Sequence, residues 1–124
     1  MQPKAKQLKK LKRLQHLLKR NQTVLEGIVI EISVLRYTPA GVPFVEMRVQ
    51  HSSRQREANV ERDVSVTLSV FALGDPALTA TTIKVGQSIA IKGFLSQRSL
   101  KSEYPVLHVN QIKLLEENHA TPTR

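Results

Sequence analysis

Apolar and polar residues alternate with a period of two from residue 23 to residue 115, in short runs separated by turn residues. Because successive side chains of a β-strand point to opposite faces, this alternation predicts strands with one face toward a core. Val, Ile and Thr dominate the runs, and these residues favour strands. The chain is therefore predicted to be all-β, with five strands at residues 23–35, 43–51, 64–71, 88–96 and 104–115.

The alternation also predicts which face of each strand is buried. The second strand is predicted to bury Val45, Met47 and Val49 and to expose the even-numbered residues between them. Gly27 interrupts the first strand and is predicted to mark a bulge or bend where a barrel strand curls. The other predicted core faces are Val24, Ile28, Ile30, Ile32 and Val34 in the first strand, and Val64, Val66, Leu68 and Val70 in the third.

The segments between the strands complete the predicted topology. Residues 52–62 are polar and charged without apolar periodicity, which indicates a loop, and residues 97–103 form a second polar loop. Asp75 followed by Pro76 predicts a capped short helix that ends near Ile83. Five strands with a short helix between the third and the fourth is the order of an oligonucleotide-binding (OB) barrel. An SH3-like barrel or a small sandwich would also contain five or more short strands.

The formal net charge of +9 is concentrated at the N-terminus. Residues 1–20 contain eight basic side chains and no acid, so the rest of the chain carries 11 basic and 10 acidic side chains. A strongly basic chain suggests a nucleic-acid partner. Because the body is nearly neutral, a binding surface there has to arise from local clustering of its cations.

The basic N-terminal arm also has an amphipathic pattern. Its leucines recur at spacings of three and four, so a helix formed there would carry a leucine stripe beside its basic residues. These leucines are Leu8, Leu11, Leu14, Leu17 and Leu18. Three interpretations are open. The arm touches phosphates or acidic lipid as a partly helical segment, docks its leucines on a partner, or is a poorly ordered terminus or the product of a start codon placed too early.

The chain lacks the residues that several classes of function require. The absence of cysteine removes disulfides and thiolate metal sites and fits a reducing, cytoplasmic location. The first twenty residues have no continuous apolar stretch for a signal peptide or membrane span, so we expect no membrane insertion. His51 and His108 are expected to be structural, and no metal-ligand spacing, catalytic triad or phosphate-binding glycine loop occurs. We expect neither an enzyme nor a bound cofactor or metal.

Four stretches of the body, taken in order, carry a family resemblance. They are Val34-Leu35-Arg36-Tyr37-Thr38-Pro39-Ala40-Gly41-Val42-Pro43, Val49-Gln50-His51-Ser52-Ser53, Val85-Gly86-Gln87 before Ile91-Lys92-Gly93-Phe94-Leu95, and Leu107-His108-Val109-Asn110-Gln111-Ile112. The series resembles the bacterial primosomal replication protein N (PriB) family over residues 21–115. The resemblance implies a homodimeric OB protein that binds single-stranded DNA and contacts the restart helicase PriA and the single-stranded-DNA-binding protein (SSB). It also implies help in reloading the replicative helicase at stalled forks.

Bacterial SSBs share the Arg-Tyr-Thr-Pro-x-Gly stretch, and two absences separate this chain from them. An SSB normally has several base-stacking aromatic residues, often tryptophan, and an acidic C-terminal tail that ends in an aromatic residue. This chain has no tryptophan and ends in His119-Ala120-Thr121-Pro122-Thr123-Arg124. The alternatives to a restart protein are a general SSB-like binder, an adaptor that chiefly joins helicase to SSB, and an RNA- or ribosome-binding protein that acts through the arm.

Binding of a single strand needs cations for the phosphates and flat side chains for the bases. The loop after the fourth strand supplies Arg98 and Lys101, where the resemblance implies a lysine-rich loop, and Arg36 lies at a position that is basic in relatives. Ser65 replaces a stacking tryptophan that some relatives have on the third strand. The complete predicted nucleic-acid-binding set is Arg36, Phe44, Arg48, Phe71, Lys92, Arg98 and Lys101.

The predicted organisation has three parts: a basic arm at residues 1–20, an OB domain at residues 21–116 and a flexible tail at residues 117–124. The first boundary follows the change of the apolar period from that of a helix to that of a strand. Within the domain, Arg54 and Arg56 are expected to contribute less to binding because acidic residues lie close to them in sequence.

Overall fold

The protein was analysed as a computed structural model in which residues 4–15 and 17–115 are described. The predicted tail, residues 117–124, lies outside them. The elements are α1 (Ala5–Gln15), β1 (Thr23–Ile32), β2 (Arg36–Tyr37), β3 (Pro43–Glu57), β4 (Val60–Leu73), α2 (Asp75–Ala80), β5 (Ser88–Gln97) and β6 (Pro105–Leu114). The basic arm therefore contains a helix, α1, as its leucine spacing allows.

Five of the strands close into a barrel. They are connected in the order β1-β5-β6-β4-β3, and β1 completes the circle by pairing with β3. The pairing of β4 with β6 is parallel, and the other barrel pairings are antiparallel. The two-residue β2 pairs with β3, and α2 lies between β4 and β5 in the chain. The predicted five-stranded OB barrel with a short helix between its third and fourth strands is confirmed.

Aliphatic side chains from all five barrel strands fill the interior. Val45, Met47 and Val49 of β3 are at most 1% exposed, as the alternation predicts. From α2, Ala77 and Ala80 join the same cluster. The remaining buried members are Val29, Val70, Ala72, Ile83, Ile89, Ile91, Leu107 and Val109. The interior is thus sealed, and binding has to occur on its outer surface.

The α2 helix differs from its prediction at both ends. Its N-cap residue is Gly74, with a φ of 76°, and no side chain caps it. Asp75 lies in the first turn instead, where its negative charge interacts favourably with the helix dipole. The helix ends at Ala80 rather than near Ile83, although Ile83 is still buried in the core.

The inward face of β1 is the opposite of the one predicted over most of the strand. Leu25 and Val29 pack toward the core, and Val29 is fully buried. The predicted core residues Ile28 and Ile30 are 47% and 38% exposed, and Val24 is 67% exposed. Both faces of this strand are apolar, so alternation could not choose between them. The outer face of β1 is consequently mostly apolar, with Glu26 as its charged residue.

The bulge in β1 lies beyond Gly27, the position predicted for a bulge or bend. The pairing with β3 shifts by one residue after Val29, which makes Ile30 the extra residue and returns Ile32 to the core side. Gly27 has another role, because a Cβ there would lie 2.6 Å from Cγ1 of Val49. A glycine is needed where β1 passes close over β3, and the bulge that curls the strand follows it.

Residues 52–62 form a hairpin rather than the predicted loop. The pairing of β3 with β4 continues out to a two-residue turn at Ala58 and Asn59, both of which have positive φ, 54° and 66°. Such a turn matches the twist of the strands it joins. Val66, predicted to be buried, is 42% exposed where the hairpin projects beyond the barrel. Because neither face of the hairpin packs against a core, its residues need not alternate between apolar and polar. The sequence of residues 52–62 therefore gave no sign of strands.

Opposite charges on the two strands of this projecting hairpin face each other. Arg54 lies 3.6 Å from both Glu61 and Asp63, and Arg62 pairs with Glu57. Pairs of opposite charge across strands add modest stability to a ribbon that lacks a core. They also neutralise cations that could otherwise attract a phosphate.

Gly93→Ala is expected to destabilise the barrel because a Cβ there would lie 1.9 Å from the carbonyl oxygen of His108. Relief of this clash requires the β5–β6 pairing to shift, at an expected cost of about 2–3 kcal/mol. Urea unfolding followed by circular dichroism measures the loss. Gly41→Ala is the control, because a Cβ at Gly41 meets nothing within 4 Å. Its only cost is the backbone strain of an alanine at a φ of 85°, which is about 1 kcal/mol of stability. Equal losses in the two variants would contradict the steric argument.

Candidate nucleic-acid interface

Four flat side chains form a continuous row across the outer face of the barrel. Phe44 of β3, Phe71 of β4, His108 of β6 and Phe94 of β5 each come from a different strand. Their order in the row is the order of the strands in the sheet. His108 lies directly opposite both Phe71 and Phe94 in the strand pairings. We call these four residues the aromatic row.

The rings of the aromatic row contact one another in sequence. Phe44 and Phe71 meet edge to face with centroids 5.2 Å apart, and Phe71 meets His108 in the same manner at 5.4 Å. His108 and Phe94 are stacked, with centroids 5.1 Å apart and an interplanar angle of 4°. These distances lie in the range of favourable aromatic pairs, so each ring helps to orient the next.

Two arginines lie over the rings at one end of the row. The guanidinium carbon of Arg36, on β2, is 5.0 Å from the centroid of Phe44. That of Arg98, just after β5, is 5.2 Å from the centroid of Phe71. Both distances are within the range of cation–π attraction. Arg36 and Arg98 come from distant parts of the sequence, and we call them the arginine pair.

Glu46 lies between the two members of the arginine pair. Arg98 Nη1 donates a hydrogen bond to Glu46 Oε2 at 3.0 Å, and Arg36 Nη2 lies 3.7 Å from Glu46 Oε1. The Glu46 side chain is 25% exposed. It points outward because the alternation of β3 places Phe44 and Glu46 on the face opposite to the buried Val45.

Rings beside cations suit the chemistry of a single strand. Bases stack on aromatic faces whatever their sequence, and guanidinium groups bind phosphate oxygens through two N–H groups. Phe94 is 39% exposed, and Phe44, Phe71 and His108 are half-buried, so a ligand can reach this surface. The arrangement can therefore hold a chain that carries both bases and phosphates.

The structure brings together four of the seven residues that the sequence singled out, namely Arg36, Phe44, Phe71 and Arg98. Arg48 is close by, since it lines the same surface depression as the arginine pair, and its Nε is 3.8 Å from Glu31 Oε1.

The two predicted lysines lie outside this cluster. Lys92 lines a different cleft, beside α2, in the company of Val24, Thr79 and Gln111. Lys101 is exposed in the loop between β5 and β6. The binding roles of all seven residues stay predictions.

Sequence reasoning missed three members of this surface: Phe94, His108 and Glu46. His108 was expected to be a structural histidine, but its ring lies in the aromatic row. Its outward position was readable from parity, because Leu107 and Val109 on either side of it are buried. The outward position of Phe94 was readable in the same way, because Ile89, Ile91 and Gly93 are buried at alternate positions before it.

The structural reading of His51 agrees with its contacts. Its Nδ1 lies 2.7 Å from the carbonyl oxygen of Glu26, and its Nε2 lies 2.7 Å from Oγ of Ser53. Ser65 lies at the base of the projecting hairpin, where it pairs with Ser52 and the two hydroxyls are 3.0 Å apart. The hairpin therefore has a small polar side chain at the position that corresponds to a stacking tryptophan in some relatives.

Within the described parts of the chain, no three His, Asp or Glu side chains are grouped so that they could hold a metal ion. None of the helices described is long and apolar enough to cross a membrane.

Comparison with known proteins identifies the family of the chain. A family model with the description "another single-strand binding protein family" matches residues 21–111. Replication restart protein PriB of Nitrosomonas europaea is 30% identical over 96 residues, which cover 77% of this chain and 89% of that protein. PriB of Bordetella pertussis is 36% identical over 93 residues, 75% of this chain and 87% of that protein. A solved structure of PriB from Ralstonia solanacearum has a TM-score of 0.71 at 28% identity, covering 79% of this chain and all of that one.

The barrel and the family match define an OB-fold protein of the single-strand-binding class. Within that class, the chain belongs to the PriB family of replication restart proteins. The resemblance seen in the sequence motifs is thereby confirmed. Both matching families are non-catalytic.

Phe71→Leu is expected to weaken binding of oligo(dT) because the leucine keeps much of the apolar volume but offers no face on which a base can stack. A stacked base contributes about 1–3 kcal/mol, so we expect a loss of at least about fivefold in affinity. Fluorescence anisotropy measures it. Tyr104→Leu is the matched control, because Tyr104 is 81% exposed and lies outside the aromatic row. Equal weakening in both variants would argue against the row as the stacking surface.

Proposed function

We propose that this protein binds single-stranded DNA on the aromatic row and the arginine pair, as a non-enzymatic accessory protein of the replication restart primosome. The observation that carries the proposal is the alignment of four flat side chains across the barrel, with two guanidinium groups over the rings at one end. Bases would stack along the row while phosphates pair with the arginines. The names of the PriB relatives supply the cellular context.

In this role the protein stabilises the restart helicase PriA on DNA and helps to reload the replicative helicase at stalled forks. Its protein partners would be PriA, SSB and other primosome components, and it would act in the cytoplasm, at the nucleoid. The support is membership of the PriB family together with a surface that suits a single strand.

A homodimer is part of the same proposal, and the outer face of β1 supports it. Val24, Ile28 and Ile30 are 67%, 47% and 38% exposed, and they share this face with the exposed Glu26. The strand pairs with β5 from Thr23 to Ile28 but with β3 only from Ile28 onward. Within the described parts of the chain, the first half of β1 thus has one edge without a strand partner, to which a strand from a second copy can add.

An adaptor that chiefly joins helicase to SSB is the second candidate, and the projecting hairpin favours it. The hairpin carries Ser65 in place of a stacking ring, and its arginines Arg54 and Arg62 are paired with acids. A hairpin of this kind adds little affinity for DNA, which leaves the aromatic row and the arginine pair as the DNA contacts of the barrel. A general SSB-like binder would have to bind through the same surface.

Residues 1–20 are proposed to act as a separate electrostatic arm. In α1, Leu8, Leu11 and Leu14 are each 43–45% exposed, so nothing in the described parts of the chain covers the leucine stripe. The arm's cations would add affinity for any nucleic acid without regard to sequence. We treat residues 21–116 as the domain that folds and binds.

Replacing the arginine pair tests the main proposal. Arg36→Gln/Arg98→Gln should weaken oligo(dT) binding at least tenfold at 0.1 M salt because two phosphate contacts are lost. The slope of log K against log salt should become shallower by about 1.4, since each contact with a single strand contributes about 0.7. Anisotropy titrations over a salt series measure both. A wild-type protein that fails to bind single strands at micromolar concentration would overturn the proposal.

The same double variant separates the two candidate functions. An adaptor should still capture PriA and support restart in a reconstituted assay after the arginine pair is replaced. A protein that works by binding DNA should lose restart activity in proportion to its lost affinity. Arg54→Gln/Arg62→Gln, which removes two hairpin arginines, is the control and should change affinity little because both are already paired with acids.

Deletion of residues 1–20 is expected to leave the melting temperature of the barrel unchanged, because the buried core and the apolar residues packed against it all lie within residues 25–112. Affinity for single-stranded and double-stranded DNA should fall together, because the eight deleted cations are attracted to phosphates whatever the base sequence. Thermal melting and anisotropy with both kinds of DNA check this. Unfolding of the truncated protein would contradict the separation of arm and barrel.

A further inference from the structure

The carboxylate of Glu46 meets the arginine pair in the manner of a bound phosphate. One of its oxygens accepts a hydrogen bond from Arg98 at 3.0 Å, and the other lies 3.7 Å from Arg36. A phosphate group of a nucleic acid also offers two oxygens to two guanidinium groups. The arginines that are best placed to bind phosphates are therefore already engaged by an anion of the protein itself.

The same contacts also cover part of the stacking surface. While Glu46 holds them, the guanidinium groups of Arg36 and Arg98 lie 5.0 and 5.2 Å from the centroids of Phe44 and Phe71. A base that approaches either ring from that side meets a guanidinium group first. Release of the arginines from Glu46 would free both the cations and the ring faces.

Folding gives little reason for an acid at this position. The arginine side chains are 50% and 51% exposed and the Glu46 side chain is 25% exposed, and ion pairs whose cations are this open to water contribute only modestly to stability. The neighbouring acid of the same depression, Glu31, is 70% exposed and contacts Arg48. Among the described acids, Glu46 is the one that lies between both arginines of the binding surface.

We propose that Glu46 is an affinity-determining residue that competes with DNA for the arginine pair. This inference rests on the proposed function and deepens it. A single strand binds by exchange: phosphate oxygens replace the Glu46 carboxylate on Arg36 and Arg98, and the carboxylate turns toward water. A short ligand with one or two phosphates cannot compensate for the displaced carboxylate, whereas a longer strand gains enough from the aromatic row. The exchange keeps binding reversible and selects for extended single strands.

Glu46→Gln tests the exchange, since glutamine keeps the shape of the side chain but not its charge. Oligo(dT) binding, followed by fluorescence anisotropy, should tighten about tenfold because phosphates no longer displace a charged competitor. The gain should be similar for all oligonucleotides long enough to occupy both arginines, because displacement of the carboxylate is a fixed cost in free energy. Glu46→Ser, which also removes the carboxylate, should tighten binding similarly, and melting curves verify that both variants are folded.

Glu61→Gln is the matched control for the change of net charge. Glu61 is also an acid of the sheet paired with an arginine, Arg54 at 3.6 Å, but it lies on the projecting hairpin. We expect its removal to tighten binding by no more than about twofold. In the Arg36→Gln/Arg98→Gln background, Glu46→Gln should lose its effect, because no arginine is left to release.

The outcomes distinguish this inference from the function it rests on. Binding by wild type with equal tightening in Glu46→Gln and Glu61→Gln would overturn the role of Glu46 and leave the DNA-binding proposal standing. Tightening that persists without the arginine pair would do the same, since it would show a general charge effect. Absence of binding by every variant would overturn both.

Discussion

The parallel pairing of β4 with β6 holds both the core and the candidate interface together. It joins Val70, Phe71 and Ala72 to Leu107, His108 and Val109, and so links the β3–β4 ribbon to the β5–β6 ribbon. Each strand sends alternate residues to opposite faces, so one short contact buries Val70 and Leu107 and places Phe71 opposite His108 on the outside. Loss of this pairing would open the barrel and divide the aromatic row in the same event.

Charge is organised by local compensation over the body of the protein. The arm holds most of the net charge, whereas the barrel pairs Arg54 and Arg62 with acids on its hairpin and Arg36 and Arg98 with Glu46 at the row. A near-neutral barrel is slow to collect nucleic acid from a distance, because long-range attraction depends on uncompensated charge. The arm would supply that attraction, and the row would supply the short-range contacts. The proposed function therefore assigns attraction and recognition to different segments of one chain.

Much of the fold and about half of the interface could be predicted from particular residues. The alternation of Val45, Met47 and Val49 defined β3, its buried face and the outward position of Phe44. The alternation failed in β1, where apolar residues occupy both faces, and in residues 52–62, where neither face meets a core. His108 was read as structural because a single histidine in a strand carries no sign of which rings will flank it. Lys92 was placed with the interface because its strand parity is outward, but outward residues of a closed barrel point in all directions around it.

The sequence by itself determined the all-β class, the order of the strands around a short helix, the separation of a basic arm from a neutral body and the family to which the chain belongs. These properties depend on residue type and on spacing along the chain, which a sequence records directly. Only the tertiary structure decided that Arg36 and Arg98 share Glu46 and that four rings from four strands form one row. Such contacts join residues far apart in the chain. They depend on barrel closure, on a bulge in one strand and on a register shift in another, none of which leaves a periodic signal.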